Sequence, residues 1–205
     1  MNKILTISRQ YGSGGREIGS KLAQRLNVPF YDKELIKRAA KESGFSEETF
    51  ENVEKKATNS LLYSIARGMN AFGSFETGYS NLSLEDQVYL IQSNIIRKVA
   101  REGPCVIVGR CADYILKDMS NVVNIFIWAD LESRKTRAIE RYGLEEKKAE
   151  EEVLRIDKGR INYYKYHSGE RWGRAENYHL SIKSDYLGID HTVDVIAKFL
   201  TAARP

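Results

Sequence analysis

Ile7-Ser8-Arg9-Gln10-Tyr11-Gly12-Ser13-Gly14-Gly15-Arg16-Glu17-Ile18-Gly19 is the stretch from which the rest of the chain is read. The run before it, Ile4-Leu5-Thr6-Ile7, is apolar and β-branched, which predicts a first strand. From Glu17 to Leu26 the apolar residues Ile18, Leu22 and Leu26 fall at helical spacing. Strand, glycine-rich turn and helix therefore follow in order. Glycines let successive N–H groups converge on one point, and a helix N-terminus adds partial positive charge there. The expectation is a phosphate cradle formed by Gly12, Ser13, Gly14, Gly15, Arg16 and Glu17, with Arg9 and Arg16 flanking the turn. The competing reading is a glycine-rich turn that binds nothing.

The phosphate-loop pattern G-x-x-x-x-G-K-[ST] fits this stretch in two incomplete registers. With Gly14 as the second glycine, Gly15 stands at the lysine and Arg16 at the hydroxyl residue. With Gly15 there, Arg16 takes the lysine position and Glu17 the hydroxyl position. The lysine ordinarily neutralises the β- and γ-phosphates and the hydroxyl ordinarily holds Mg²⁺. Arg16 supplies a cation, but no Ser or Thr follows it.

Working outward, apolar runs alternate with helical patterns, as in an α/β protein with a mostly parallel sheet. Strands are expected at Val28–Tyr31, Cys105–Val108, Val122–Trp128 and, more weakly, Leu180–Ser184. Helices are expected at Lys33–Ser43 and Glu47–Lys56, from a capping Ser83 to the Gly103-Pro104 stop, and from a capping Asp130 to Arg141. Leu144 to Tyr166 is charged and helical, and Asp190 is expected to cap a last helix carrying Val193, Ile196, Ala197 and Leu200 on one face. Asn59 to Asn81 mixes glycines with aromatics. It is read as a helix and a mobile loop in an inserted substrate lobe, or as a contact between copies of the chain.

The 205 residues suit one domain, or a core with a small inserted lobe. A hydrophobic fraction of 42% and a charged fraction of 29% exclude the disordered and fibrous classes. With 32 Lys and Arg against 28 Asp and Glu, the formal charge is +4, which accommodates an anionic small substrate without demanding nucleic acid. The apolar runs are too short to span a bilayer, no signal peptide is visible, and Cys105 and Cys111 fit neither a disulfide scaffold nor a metal spacing. The expected setting is a reducing cytoplasm. His167, His179 and His191 are too scattered to read as ligands of one metal, and the sequence leaves any metal ligands unknown.

Four segments together, Ser8 to Gly19, Phe30-Tyr31-Asp32-Lys33-Glu34-Leu35-Ile36, Val106-Ile107-Val108-Gly109-Arg110 and Leu187-Gly188-Ile189-Asp190, resemble the cytidylate kinase-like family. This is a bacterial branch of the P-loop nucleoside monophosphate kinases, and the resemblance runs from about Ile4 to Leu200. It implies a three-layer P-loop nucleoside triphosphate hydrolase fold, with a five-stranded parallel sheet in the order 2-3-1-4-5 and helices on both faces. It also implies a core (residues 1–35 and 84–205), a nucleotide-monophosphate lobe (about 36–83) and a lid (about 144–175). ATP would bind at Gly12 to Arg16, with Mg²⁺ bridging its phosphates. The acceptor would be a small nucleotide, CMP or dCMP first. A different small acceptor, and a nucleotide-binding regulatory module with reduced catalysis, stay open. Relative to the family's G-x-x-G-x-G-K-[ST], the glycines at positions four and six are kept and the Lys-Ser/Thr pair is not.

The remaining site candidates follow from position and resemblance together. Asp32 directly follows the second strand, where parallel sheets place their ligands, though it also suits the N-cap of the next helix. Arg110 follows the third strand and suits bidentate phosphate capture. The family has a Gly-Arg-Asp run there, whereas this chain has Gly109-Arg110-Cys111, with Asp113 keeping an acid nearby. Arg134 and Arg137 share a helix face, and the resemblance sets them near the adenine and lid. Arg155, Asp157 and Arg160 lie on a charged helix pair that would form the lid, where the family pairs an Asp with an Arg three residues on. Arg16, Asp157 and Arg160 are the catalytic candidates. Against all the helical arginines stands the plainer reading of a solvated charged face. Tyr163, Tyr164, Tyr166, His167 and Trp172 are read first as helix packing on the core, and otherwise as a base-stacking surface or a contact between copies.

Overall fold

The computed structural model describes residues 3–50, 52, 53 and 82–202. Its strands are β1 (Ile4–Arg9), β2 (Phe30–Tyr31), β3 (Val106–Val108), β4 (Val122–Trp128) and β5 (Leu180–Lys183). Its helices are α1 (Gly15–Leu26), α2 (Lys33–Ser43), α3 (Leu84–Glu102), α4 (Ala112–Ile115), α5 (Leu131–Tyr142), α6 (Glu146–Ser168), α7 (Ser184–Leu187) and α8 (Ile189–Ala202). Residues 47–50, 52 and 53 are also helical.

The five strands pair in parallel in the order β2-β3-β1-β4-β5. Leu5 of β1 lies opposite both Val106 and Val123, so β1 is the central strand. Its flanking strands are almost continuously apolar because both faces of the sheet are covered. On one face Leu5, Ile7, Val108, Ile125 and Ile127 pack against Ile18 and Leu22 of α1 and Val193, Ile196 and Leu200 of α8. On the other, Ile4, Ile107 and Val122 pack with Leu35 of α2 and Ile95, Ile96 and Val99 of α3. The architecture is the three-layer sandwich expected.

Several local expectations are corrected. Ser83 does cap α3, its Oγ accepting the Asp86 N–H at 3.1 Å. Asp32 and Asp130 precede α2 and α5, yet neither side chain makes a capping bond. The Asp130 carboxylate accepts from Lys183 Nζ at 2.6 Å instead. Asp190 lies inside α8 and accepts from Lys21 Nζ at 2.6 Å. In each case the carboxylate accepts from a cation within reach, Arg16 for Asp32, Lys183 for Asp130 and Lys21 for Asp190. The charged segment expected as a helix pair is the single helix α6, which Gly169 ends in a left-handed conformation. Most of the lobe and all of the Asn59–Asn81 contact reading lie outside the described residues. Among the described residues, no helix is long and apolar enough to cross a membrane.

Candidate active site

The connections from β1 and β3 leave the carboxyl edge of the sheet, where the strand order turns back on itself and a crevice opens. β1 ends at Arg9 and α1 begins at Gly15, so Gln10 to Gly14 form the turn. Gly12 (φ 80°) and Gly14 (φ 77°) are left-handed. A Cβ on Gly12 would also strike the Arg134 backbone, and one on Gly14 the Ile189 side chain. Only glycine satisfies both constraints.

The turn is tied down from several elements. Gln10 N–H donates to Ile127 O at 3.0 Å, and Ser13 Oγ donates to Gln10 O at 2.8 Å. Ser184 Oγ donates to Ser13 O at 2.7 Å. From α6, Asp157 Oδ1 accepts the Tyr11 N–H at 2.7 Å and Arg160 Nη1 donates to Arg9 O at 2.8 Å. Arg134 of α5 donates to Asp157 Oδ2 at 2.5 Å and to Tyr11 O at 3.3 Å. Burial pushes the Asp157 carboxyl up, against the pull of Arg160, the Tyr11 N–H and Arg134. The loop is thus held in shape before any ligand arrives.

In front of the loop opens a cavity of about 670 Å³. Its wall carries Arg9, Arg16, Lys33, Arg110, Arg155 and Arg160, and among the described residues Asp32 is its one acid. Tyr11, Tyr142, Tyr163, Tyr164 and Trp172 supply aromatic surface. Asp32 lies at the centre of the cationic wall, with Oδ2 accepting from Arg16 Nε at 2.6 Å and Oδ1 from Arg110 Nη1 at 3.4 Å. Burial alone would push the Asp32 carboxyl up. Arg9, Arg110 and Arg16 outweigh it and hold the group below the ordinary carboxylate range. Arg16 remains 62% exposed at the mouth, whereas the Arg110 side chain is 8% exposed.

Gly109, Arg110 and Cys111 are consecutively left-handed (φ 78°, 56° and 54°). The turn is pinned by Gly109 N–H to Ile7 O at 3.0 Å and Ala112 N–H to Gly109 O at 3.1 Å. A left-handed non-glycine residue costs roughly 1–2 kcal/mol, so two in succession are a strain that the surroundings sustain. The turn sets Arg110 against Asp32.

Of the residues expected at the site, Gly12, Gly14, Gly15, Arg16, Asp32, Arg110, Arg155 and Arg160 line the cavity. The others do not. Ser13 is buried behind the loop. Glu17 is half-exposed and pairs with Arg137 and Lys21, so it does not line the cavity. Arg134 and Asp157 lie underneath the loop as a buried pair. Asp113 is buried, where desolvation pushes its carboxyl up to about 6 against the pull of the Tyr164 hydroxyl and nearby backbone N–H groups. Arg155 also pairs with Glu152 at 2.8 Å.

Arg9, Lys33, Tyr11 and Tyr142 also line the cavity, though none of them is among the expected site residues. Arg9 had a signal, since it stands at the first position of the loop pattern. Tyr142 had none, because it reaches the cavity only through the packing of α5 on α6. The aromatic patch divides. His167 stacks on Tyr89 at 3.8 Å between ring centroids, and burial lowers it to about 4, whereas Tyr163, Tyr164 and Trp172 pack on the core, as first read, and also line the cavity.

The family model for the cytidylate kinase-like family matches residues 4–186. A crystal structure of an uncharacterised protein from Eubacterium ventriosum is similar over 98% of this chain and 99% of its own, at 28% identity and a TM-score of 0.73. Shikimate kinase from Bacteroides thetaiotaomicron aligns over 98% of this chain and 99% of its own, at 15% identity and a TM-score of 0.56. Shikimate kinase from Acinetobacter baumannii, in complex with shikimate, aligns over 98% and 94%, at 12% identity and a TM-score of 0.54. These two share the fold with this chain. No curated protein matches it in sequence.

Proposed function

The chain belongs to the cytidylate kinase-like family, and from that premise we propose that it transfers the γ-phosphoryl group of ATP to the phosphate of a pyrimidine nucleoside monophosphate, CMP or dCMP. The observation that carries this reading is the cavity wall: six cations and, among the described residues, one carboxylate, set in front of a glycine turn at a helix N-terminus. Such a surface suits two phosphorylated substrates better than a neutral polyol.

In this reading the backbone of Gly12 to Gly15 cradles the donor phosphates. Arg110 holds the acceptor phosphate, and Asp32 orients the Arg110 and Arg16 guanidinium groups. An oxygen of the acceptor phosphate forms the new bond to γ-phosphorus as the bond to the β–γ bridging oxygen breaks, and ADP leaves with that electron pair. Catalysis is positioning and charge neutralisation without a covalent intermediate. Arg16 and Arg160 neutralise charge on the transferring group, with Arg155 at the rim, and the lid formed by α6 excludes water. Arg134, Asp157 and Arg137 support the loop from behind. Tyr163 and Trp172 offer faces for the acceptor base.

The donor set fits a Mg²⁺ that enters with the nucleotide rather than a resident ion. Mg²⁺ keeps several waters and needs one or two carboxylates beside the phosphates. Asp32, which would have to share its oxygens with Arg16 and Arg110, is the one carboxylate on the cavity wall among the described residues, where no group of three His, Cys, Asp or Glu is assembled. When bound, the ion would neutralise phosphate charge.

A second reading, a nucleotide-binding regulatory protein with reduced catalysis, is favoured by Gly15 and Arg16 standing where the loop pattern has lysine and a hydroxyl. Initial rates of ADP formation with Mg²⁺-ATP separate the two, using CMP, dCMP, UMP, AMP, shikimate and gluconate as acceptors. The proposal expects CMP or dCMP to give the highest rate. ATP binding with no acceptor-dependent turnover supports the second reading.

A further inference from the structure

The loop pattern asks for a cation at its lysine position, and the structure assigns that cation to a different residue. We propose that Arg9 replaces the loop lysine and binds the terminal phosphates of the nucleoside triphosphate. The inference rests on the nucleotide reading above and gives a specific role to a residue that reading counted only among the cations of the wall.

The register comes first. β1 ends at Arg9 and α1 begins at Gly15, with Gly14 left-handed just before the helix. Gly14 is then the second glycine of the pattern, Gly15 stands at the lysine, and Arg9 stands at the first glycine. A side chain is missing at Gly15 because another occupies its space. A Cβ on Gly15 would lie 2.5 Å from Arg9 Cβ and 3.0 Å from Arg9 Cγ. The aliphatic stem of Arg9 thus runs across the first turn of α1, where a loop lysine would begin.

The guanidinium ends at the other wall of the crevice. A Cβ on Gly109 would overlap Arg9 Nη1 and lie 3.0 Å from Cζ. Two glycines far apart in the chain, Gly15 and Gly109, are therefore both shaped around one arginine. The guanidinium sits between the donor loop and the Asp32–Arg110 pair, and its charge acts on Asp32. Both Arg9 and its neighbours Gly15 and Gly109 line the cavity. A planar fork of donors at that border reaches two phosphate oxygens at once, which an ammonium ion does only as a point charge. The lysine and the glycine of the ordinary pattern have in effect exchanged places: a long cation at the first position, nothing at the seventh.

The test uses calorimetric titration of Mg²⁺ with a non-hydrolysable ATP analogue, and AMP as the control without terminal phosphates. Arg9→Gln keeps much of the stem and removes the charge. It is expected to lower affinity for the analogue about 10- to 100-fold, the worth of one charge-assisted hydrogen-bond pair, and to leave AMP affinity within about threefold. Arg9→Lys is expected to fall between wild type and Arg9→Gln. Gly15→Lys alone should lower the melting temperature through overlap with the Arg9 stem. In the Arg9→Ala background, Gly15→Lys should fold normally and regain at least about tenfold of the lost analogue affinity. A folded Arg9→Gln with wild-type affinity for the analogue overturns the inference and leaves the nucleotide reading standing. So does a folded double variant that regains nothing, or an equal loss for AMP and analogue. A wild-type chain that binds no analogue overturns both.

Discussion

Asp157, on the long charged helix, accepts the backbone N–H of Tyr11, in the glycine turn, at 2.7 Å. The same carboxylate accepts from Arg134 at 2.5 Å and from Arg160 at 3.3 Å. One buried acid thereby fixes the shape of the turn, the position of α5 and a cation that reaches the cavity. The acid acts on the site through its neighbours rather than by facing the cavity.

Asp157→Ala should therefore act first on stability. It strands Arg134 as a buried cation, an error that costs about 3–5 kcal/mol and about 10 °C in melting temperature for a domain of this size. Thermal unfolding followed by circular dichroism reads it. Adding Arg134→Ala should recover part of the loss, because the stranded charge is gone. Strictly additive losses would contradict the coupling.

Arg110 and Arg160 should separate kinetically. Arg110→Ala removes the proposed acceptor contact and should raise the acceptor KM by about 10- to 100-fold while the KM for ATP changes little. Arg160 donates to the Arg9 carbonyl and packs its guanidinium over Tyr11 at 5.7 Å. Arg160→Ala should mainly lower kcat, by about 100-fold, the scale of a lost transition-state donor. Equal, small effects of both on every parameter would undo the assignment.

Asp113 makes stability depend on pH in a definite direction. Burial holds its carboxyl at about 6 in the folded chain, against 3.8 ordinarily. The folded state therefore binds the proton more tightly than the unfolded state. Its contribution is complete below pH 4 and is lost as pH rises through 6, on the order of 3 kcal/mol in all. Asp113→Asn removes the group that must ionise beside Tyr164, Tyr178 and Glu170. Its melting temperature relative to wild type should climb between pH 4.5 and pH 7.5. A difference that stays flat over that range would show that Asp113 ionises at its ordinary pH.

The frame was legible where patterns are local. Continuous apolar runs marked β4 to the residue, and Gly103-Pro104 marked the end of α3. The glycine turn was legible because glycine at positive φ leaves a signature in sequence. Helix caps were misread at Asp130 and Asp190, since the lysines that claim those carboxylates come from distant segments, Lys183 and Lys21. Within the site, sequence identified Arg110 and Asp32 by their places after strands. It did not reveal that Arg16 and Arg110 converge on the Asp32 carboxylate. Nor did it reveal that Glu17 pairs with Arg137, because both pairings join segments that only the folded sheet brings together. The path of Arg9 across Gly15 to Gly109 is of the same kind. It is visible only once the side chain and the two empty Cβ positions are seen together.

The central claim is phosphoryl transfer to a nucleoside monophosphate, and ³¹P NMR of the purified chain with Mg²⁺, ATP and CMP tests it most directly. The account predicts that the CMP resonance falls while paired resonances of CDP and ADP rise in equal amounts. CMP left unchanged, whether ATP stays intact or is hydrolysed to free phosphate, would contradict it, provided dCMP and UMP behave the same way.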